Sequence, residues 1–267
     1  MHSQLITCTA SEVAAMIEGA MHHRTEMDVG ANYVDSHGQS EVGFGLTRLL
    51  GFELKPRLKR INHTKLHVPD VETRARIPQL QPVLAGRGPI RWDLIAQQYD
   101  QLVRYATAIN NRTASTEAIL RRFTRAATHP TYQALLEVGR AQRTIFLCRY
   151  LRSRTEQREV NAGLNVVESW NGANAQIAYG KAGDIATNRR DEAEMTVLCL
   201  HILQAAMVHV NTLMIQDVLA EPDWDDVLTA EDYRGLTPLI WAHVAMHGEF
   251  KLNMTRRLTL GATTRRR

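Results

Sequence analysis

Residues 26–38 read Glu26-Met-Asp-Val-Gly-Ala-Asn-Tyr-Val34 followed directly by Asp35-Ser-His-Gly38. The first nine residues predict a β-strand, and the Asp-Ser-His-Gly sequence predicts a turn. Beyond the turn, the pattern predicts a helix that ends near Gly51. A strand that leads through a turn into a helix indicates an α/β protein, and it puts Asp35 at the carboxyl end of the strand.

Elements on both sides of this stretch extend the α/β pattern. Residues 4–8 predict a short strand, and Ser11 predicts the start of a helix. Residues 55–67 alternate between basic and apolar side chains, which predicts a third strand with one basic face. That face would carry Lys55, Arg57, Lys59, His63 and Lys65.

The chain changes character after these strands. Residues 69–91 contain four prolines and two glycines, which indicates a linker and a domain boundary. Almost everything beyond it has helical periodicity, so the fold class is α/β but predominantly helical. The predicted helices span residues 92–110, 114–125, 131–152, 155–180, 190–220 and 229–247.

Composition excludes several classes of protein. The chain has 267 residues and only three cysteines, Cys8, Cys148 and Cys199, too far apart to indicate a disulfide framework or a zinc site. The longest apolar stretch, residues 196–210, is interrupted by polar side chains, so we expect a core helix and no membrane partner. No signal peptide is predicted at the start, and we therefore expect a cytoplasmic protein.

Charge is segregated along the chain. Residues 100–160 hold eleven arginines against five acidic residues, whereas residues 191–235 hold ten acidic residues against one arginine. The net charge of the whole chain is only +4. A basic middle and an acidic end indicate separate roles for the two regions.

Two acidic residues are candidates for chemistry, each with an ordinary alternative. Asp35 follows a strand, where α/β proteins place catalytic groups, but an aspartate there can also simply bond its own turn. Glu168 shares one arc of a predicted helix with Asn171 and Asn174, but an exposed glutamate on an amphipathic helix has the same pattern. The residues alone leave both choices open.

Six ordered blocks of the chain together resemble the Tn3 family of replicative transposases, which move bacterial transposons by nicking their ends and joining them to new DNA. They extend over residues 10–19, 32–38, 45–59, 89–100, 166–174 and 208–213. Two of them carry the acidic candidates, Asn32-Tyr-Val-Asp35-Ser-His-Gly38 and Val166-Val-Glu168-Ser-Trp-Asn-Gly-Ala-Asn174.

The resemblance implies an incomplete RNase H-like core with few strands, a helical insertion and C-terminal helices. In such enzymes two aspartates and a glutamate bind two Mg²⁺ ions; by resemblance, Asp35 is the second aspartate and Glu168 the glutamate. Asn171 and Asn174 would orient Glu168 or touch DNA. We expect a partial core in residues 1–70, a linker and basic insertion in 71–160, the glutamate helix and core helices in 161–220, and a last helix and basic tail in 221–267.

The family's first catalytic aspartate has no counterpart among these residues, and Asp28 is too far along the strand to replace it. We therefore expect a fragment of a transposase that performs no strand transfer alone. The expected partners are transposon terminal inverted repeats, target DNA, and a second copy or the full-length enzyme, in the bacterial cytoplasm at the nucleoid.

DNA contact needs only lysines and arginines that reach phosphates, so it does not require a complete active site. The candidates are Lys55, Arg57, Lys59 and Lys65 on the predicted strand, and Arg121, Arg122 and Arg125 on a predicted helix. Ordinary solvated charges are the alternative at each position. A second hypothesis for the whole chain is a non-catalytic DNA-binding or interaction protein derived from a transposase.

Overall fold

The computed structural model describes residues 6, 11–23, 28–35, 38–59, 61–178, 185, 187–224, 226–244, 249, 251 and 253–255. Over these residues the fold is α/β and predominantly helical, as the periodicity predicts. It divides into two compact units, Met1–Asn165 and Val166–Arg267. Of the predicted strand at residues 4–8, only residue 6 is among the described residues.

The first unit is built around one β-α-β connection. Strand β1 (Ala31–Val34) leads to helix α2 (Glu41–Leu49), which returns the chain to strand β2 (Glu53–Pro56). The two strands pair in parallel, with Ala31 opposite Glu53 and Val34 opposite Pro56. Helix α1 (Glu12–Met21) precedes β1 and begins at Ser11, whose side chain accepts a hydrogen bond from the Ala14 amide.

The remaining elements of the first unit are helices. Val71–Arg76 forms α3, Trp92–Asn110 α4, Thr116–Arg125 α5 and Pro130–Arg152 α6, and Arg154–Ile177 forms α7, which continues past the boundary of the unit. The apolar faces of α1, α2, α4, α5 and α6 share one core, which includes Ile17, Leu46, Leu102, Phe123 and Leu135. Burying these side chains is the main source of stability in this unit.

Helices α2 and α6 pack closely because glycines lie where they meet. A Cβ atom on Gly139 of α6 would collide with the backbone carbonyl of Glu41 at the start of α2. One on Gly45 would lie 2.6 Å from the Leu135 carbonyl oxygen. The helix that follows Asp35 is therefore held directly on α6.

The predicted third strand is wrong over most of its length. Strand β2 ends at Pro56 because its neighbour β1 ends at Val34, where Asp35 begins the turn. The Arg57 amide makes one last hydrogen bond to the Val34 carbonyl, and Ile61–His63 forms a 3₁₀-helix. Alternation without a neighbouring strand does not make a strand.

The proline-rich residues 69–91 are folded instead of forming an open linker. They include α3 and the 3₁₀-helix Pro78–Val83, and they bury Leu84, Ala85 and Ile90. Leu66 and Leu84 form an isolated parallel bridge that fastens the segment to the unit. The division into four segments drawn from the sequence stays a prediction.

The second unit contains the end of α7, the long helix α8 (Arg190–Leu219) and the short helix α9 (Ala230–Gly235). Helix α8 is long and apolar enough to cross a membrane by length and composition, and only 17% of that window is buried. The expected burial of this helix is therefore not seen among the described residues. Apolar side chains exposed on α8 include Met195, Leu198, Ile202 and Met214.

The last predicted helix, 229–247, is wrong over residues 236–244, and residues 245–247 lie outside the described part of the chain. The Asn211 side-chain amide of α8 donates hydrogen bonds to the carbonyl oxygens of Pro238 and Ile240, at 2.7 Å and 2.6 Å. Pro238 also disfavours a helical conformation in the residue before it. The tertiary contact and the proline together end the helix early.

Candidate functional site

Asp35 lies directly after β1, at the carboxyl end of the two-stranded sheet. The Gly38 amide donates to the Asp35 backbone carbonyl at 3.0 Å, which closes the turn through the main chain. About half of the Asp35 side chain, 54%, is exposed to solvent. This carboxylate is therefore open to a cation from solution.

Lys59 is a basic neighbour of Asp35. Its Nζ lies 3.2 Å from Oδ1 and 3.3 Å from Oδ2 of Asp35, and 55% of its side chain is exposed. The contact arises because β1 and β2 are parallel, so that residues following the two strands meet at the same edge of the sheet. An exposed pair of this kind is worth at most about 1 kcal/mol and is easily displaced.

Glu168 lies on the part of α7 that belongs to the second unit, and its side chain is exposed. The exposed Asn171 lies three residues further along, close to one helical turn. Asn174 is engaged elsewhere, because its Oδ1 accepts a hydrogen bond from the Gln204 side-chain amide of α8. Asn174 thus fastens α7 to α8 within this unit.

Lys55 lies in β2 but does not present a charge to solvent. Only 8% of the residue is exposed, and its Nζ lies 2.7 Å from Glu159, 3.5 Å from Glu156 and 3.9 Å from Glu53. Burial lowers the pKa of Lys55, but the hydrogen bond from Nζ to Glu159 and the nearby carboxylates outweigh it and raise the pKa overall. Lys55 is an internal cation of the fold.

The same cluster joins β1 to the first turns of α7. The Tyr33 hydroxyl donates to Glu159 Oε1 at 2.6 Å, and burial together with this carboxylate raises the pKa of Tyr33 to about 12. Arg149 of α6 binds both oxygens of Glu53, at 2.8 Å and 2.7 Å, and Glu156 at 2.9 Å. Tyr33 precedes Asp35 by two residues, so this network holds the strand that carries Asp35.

The predicted basic strand face does not form, because β2 ends before Arg57. Lys55 points into the cluster of glutamates, Lys59 pairs with Asp35, and the Lys65 ammonium donates to the Pro82 carbonyl at 2.7 Å. Arg121, Arg122 and Arg125 of α5 are all exposed, and Arg121 pairs with Glu117 at 2.7 Å. Their binding of DNA stays a prediction.

A cluster around Glu137 of α6 was missed by sequence reasoning. Its side chain is fully buried, and it accepts hydrogen bonds from Arg87 at 2.7 Å, Arg91 at 3.0 Å and Arg140 at 2.8 Å. Burial raises the pKa of Glu137, but the Arg91 hydrogen bond and the charges of Arg140 and Arg87 outweigh it and hold the pKa below its ordinary value. The helical spacing could have indicated that Glu137 is buried, because Ala134, Glu137 and Ala141 lie on one buried stripe of α6.

The donor chemistry at Asp35 fits a hard divalent cation, which prefers carboxylate oxygens. Within the described part of the chain, no group of three or more histidine, cysteine, aspartate or glutamate side chains is gathered closely enough to hold a metal ion. Asp35 lies in the first unit and Glu168 in the second. Each of these carboxylates is exposed and offers oxygen ligands.

A family model described as the Tn3 transposase DDE domain matches residues 1–250. Similar proteins include the transposase for transposon Tn1546 of Enterococcus faecium, which is 26% identical over 98% of the chain and 26% of its own length. The transposase for transposon Tn501 of Pseudomonas aeruginosa is 28% identical, over 92% and 25% respectively.

The transposase for insertion sequence element IS1071 in transposon Tn5271 of Comamonas testosteroni is 27% identical over 96% of the chain and 26% of its own length. The chain thus spans about a quarter of the length of these curated relatives. No solved structure matches the chain.

Proposed function

Because the chain belongs to the Tn3 transposase DDE domain family, we propose that it carries part of the catalytic centre of a DNA transposase, with Asp35 and Glu168 as two of its metal-binding carboxylates. The observation that carries this proposal is the exposed Asp35 at the carboxyl end of a parallel strand in an α/β unit. By the resemblance, the third carboxylate of such a centre is the family's first catalytic aspartate, which has no counterpart in this sequence.

Asp35 and Glu168 would hold Mg²⁺, the cofactor expected of this centre in an RNase H-like core. A pair of such ions supplies charge stabilisation on both sides of the phosphorus atom during phosphodiester cleavage and strand transfer. The residues of this chain contribute binding and orientation. Asn171, which is exposed on α7 as Glu168 is, would orient Glu168, whereas Asn174 bonds to α8.

Lys59 has a distinct part in this proposal. Its ammonium neutralises Asp35 while no other cation is bound, which limits the repulsion that a bare carboxylate would meet near DNA phosphates. Because both side chains are half exposed, the pair separates at little cost when a divalent cation approaches. The proposed substrates are transposon ends and target DNA, in the bacterial cytoplasm at the nucleoid.

Metal binding tests the proposal directly. Calorimetric titration of the 267-residue protein with Mn²⁺ should show at least a tenfold weaker affinity in Asp35→Asn and in Glu168→Gln, since each removes a charged ligand. Asp28→Asn is the matched control, because Asp28 is an exposed aspartate just before β1. Equal Mn²⁺ affinity in all four proteins would refute the assignment.

A second candidate is a DNA-binding protein without catalysis, and the exposed arginines of α5 favour it. In that case Arg121→Gln, Arg122→Gln and Arg125→Gln would each weaken DNA binding, while Asp35→Asn and Glu168→Gln would leave Mn²⁺ affinity unchanged. The same titration thus separates the two functions.

A further inference from the structure

Four arginines surround two glutamates beside the contact between α2 and α6. Arg87, Arg91 and Arg140 bind Glu137, and Arg140 also approaches Glu41 at 2.9 Å. Arg143 lies 3.8 Å from Glu41. The cluster therefore has two more arginines than glutamates.

The neighbouring histidine does not change this balance. His67 Nε2 lies 3.9 Å from Glu41, but burial and the nearby arginines lower the pKa of His67, so that the imidazole is neutral at pH 7. The excess positive charge is a fixed property of the cluster near neutral pH.

Arg87 and Arg91 are fixed and yet open to solvent. Both bind the fully buried Glu137, but 38% of the Arg87 side chain and 46% of the Arg91 side chain remain exposed. Arg74 adds support, because its guanidinium donates to the carbonyl oxygens of Ala85 at 2.6 Å and Arg87 at 3.0 Å. The exposed guanidinium groups therefore have little conformational freedom to lose on binding a ligand.

The surroundings of Arg91 favour an anionic polymer. Arg91 is the N-cap of the 19-residue helix α4, whose positive dipole end lies at this position. Trp92 follows it, with 52% of the residue exposed and its indole N–H bonded to the Pro69 carbonyl at 3.0 Å. A fixed, exposed aromatic ring beside arginines is suited to packing on a sugar or a base.

We propose that Arg87, Arg91 and Trp92 form a DNA contact in which the two guanidinium groups bind backbone phosphates. A planar guanidinium fixed on one side by a carboxylate can still offer its other N–H groups to a phosphate. This contact rests on the proposed function for its ligand, a DNA strand. It lies on the folded 69–91 segment and the start of α4, and it uses none of the seven basic residues that the sequence singled out for DNA.

A purely structural role explains the cluster less well. A single arginine would neutralise Glu137, and buried ion pairs add little net stability because both charges must leave water. Two further arginines with roughly 40% exposure are therefore not required to hold the segment on α6. They are accounted for if the buried carboxylate serves to aim them at a phosphate backbone.

The experiment is arginine footprinting of the unmodified protein with phenylglyoxal, with and without duplex DNA. DNA should slow the modification of Arg87 and Arg91 at least threefold. Arg76 is the control, since it lies on the same folded segment, has a side chain that is 76% exposed and pairs with Glu72 at the surface. Equal protection of Arg76, or equal reactivity of Arg87 and Arg91 with and without DNA, would overturn the contact.

A salt titration of DNA affinity gives an independent readout. Each lost phosphate contact lowers the slope of log K against log salt by about 0.9. The Arg87→Gln/Arg91→Gln variant should therefore lose nearly two units of slope and bind roughly tenfold or more weakly at about 0.1 M salt. Arg76→Gln should match the unmodified protein.

Absence of any DNA binding by the unmodified protein, or an unchanged slope in the double variant, would overturn the proposal. These results leave the metal-binding carboxylates to be judged separately by the Mn²⁺ titration. A failed DNA contact and a failed catalytic assignment can therefore be told apart.

Discussion

Acidic residues have opposite settings at two places in the molecule. One place is the contact between α2 and α6, and the other is the carboxyl edge of the sheet. At the helix contact, Glu137 is fully buried and bound by three arginines. At the sheet edge, Asp35 is half exposed and pairs with the half-exposed Lys59. The first carboxylate has its charge balanced inside the protein, whereas the second can exchange its partner for a cation from solution.

These two settings determine which acidic residue is available for chemistry. A buried carboxylate that is saturated by three arginines cannot bind a metal ion without breaking the fold. A carboxylate with a loosely held lysine can do so at small cost. Substitutions at Glu137 and Asp35 should therefore differ strongly in their effect on stability.

Glu137→Gln should lower the free energy of unfolding by about 3–5 kcal/mol, because it leaves three arginines around an uncharged amide. Urea denaturation measures this change. Asp35→Asn should change the same quantity by less than about 0.5 kcal/mol, as is usual for exposed residues. Equal losses of unfolding free energy in Glu137→Gln and Asp35→Asn would contradict the difference between the two settings.

Gly139→Ala should cost about 3 kcal/mol, since the new methyl group would meet the Glu41 carbonyl and push α2 away from α6. Thermal unfolding followed by circular dichroism measures the effect. Gly88→Ala is the matched control, because nothing lies within 4 Å of its Cβ position. A melting temperature unchanged by Gly139→Ala would show that the two helices are not in close contact.

Acid should abolish the contribution of Glu137. Its pKa is lowered in the folded protein, so the stabilisation is complete above the pKa of the unfolded chain and disappears as the pH falls through the folded value. The difference in unfolding free energy between the unmodified protein and Glu137→Gln should therefore be constant near pH 7 and shrink below about pH 4.3. A difference that grew in acid would mean that burial outweighs the arginines and raises the pKa of Glu137.

Lys59→Met should have the smallest effect on stability, at most about 0.5 kcal/mol, because the pair with Asp35 is exposed and screened by salt. Its effect should appear instead in Mn²⁺ affinity, which we expect to rise severalfold once the competing ammonium is removed. Lys65→Met is the control, since Lys65 bonds a backbone carbonyl. Unchanged Mn²⁺ affinity in Lys59→Met would show that Lys59 does not compete at Asp35.

The sequence predicted those parts of the fold that depend on local pattern. Helix α4 begins and ends at the predicted residues, and Asp35 follows a strand as expected. The alternation after Lys55 failed because strand formation needs a neighbouring strand, and β1 ends at Val34. The last helix failed because Asn211, far away in sequence, bonds the carbonyls of Pro238 and Ile240.

The candidate site shows the same limit. Burial of Lys55 depends on Glu156 and Glu159, about a hundred residues later, so a basic residue on a strand could not be recognised as an internal ion. The cluster at Glu137 likewise joins residues 87, 91, 137 and 140. The number of charged residues in each part of the chain does not show which of them form ion pairs in the fold.

We propose that Asp35 and Glu168 serve one metal centre. A double-mutant cycle on Mn²⁺ affinity, with Asp35→Asn, Glu168→Gln and the combination, tests it most directly. If both carboxylates serve the same centre, we expect each single variant to lose at least tenfold in affinity and the combined loss to fall clearly short of the product. Losses that multiply independently, or no loss in either single variant, would contradict the claim.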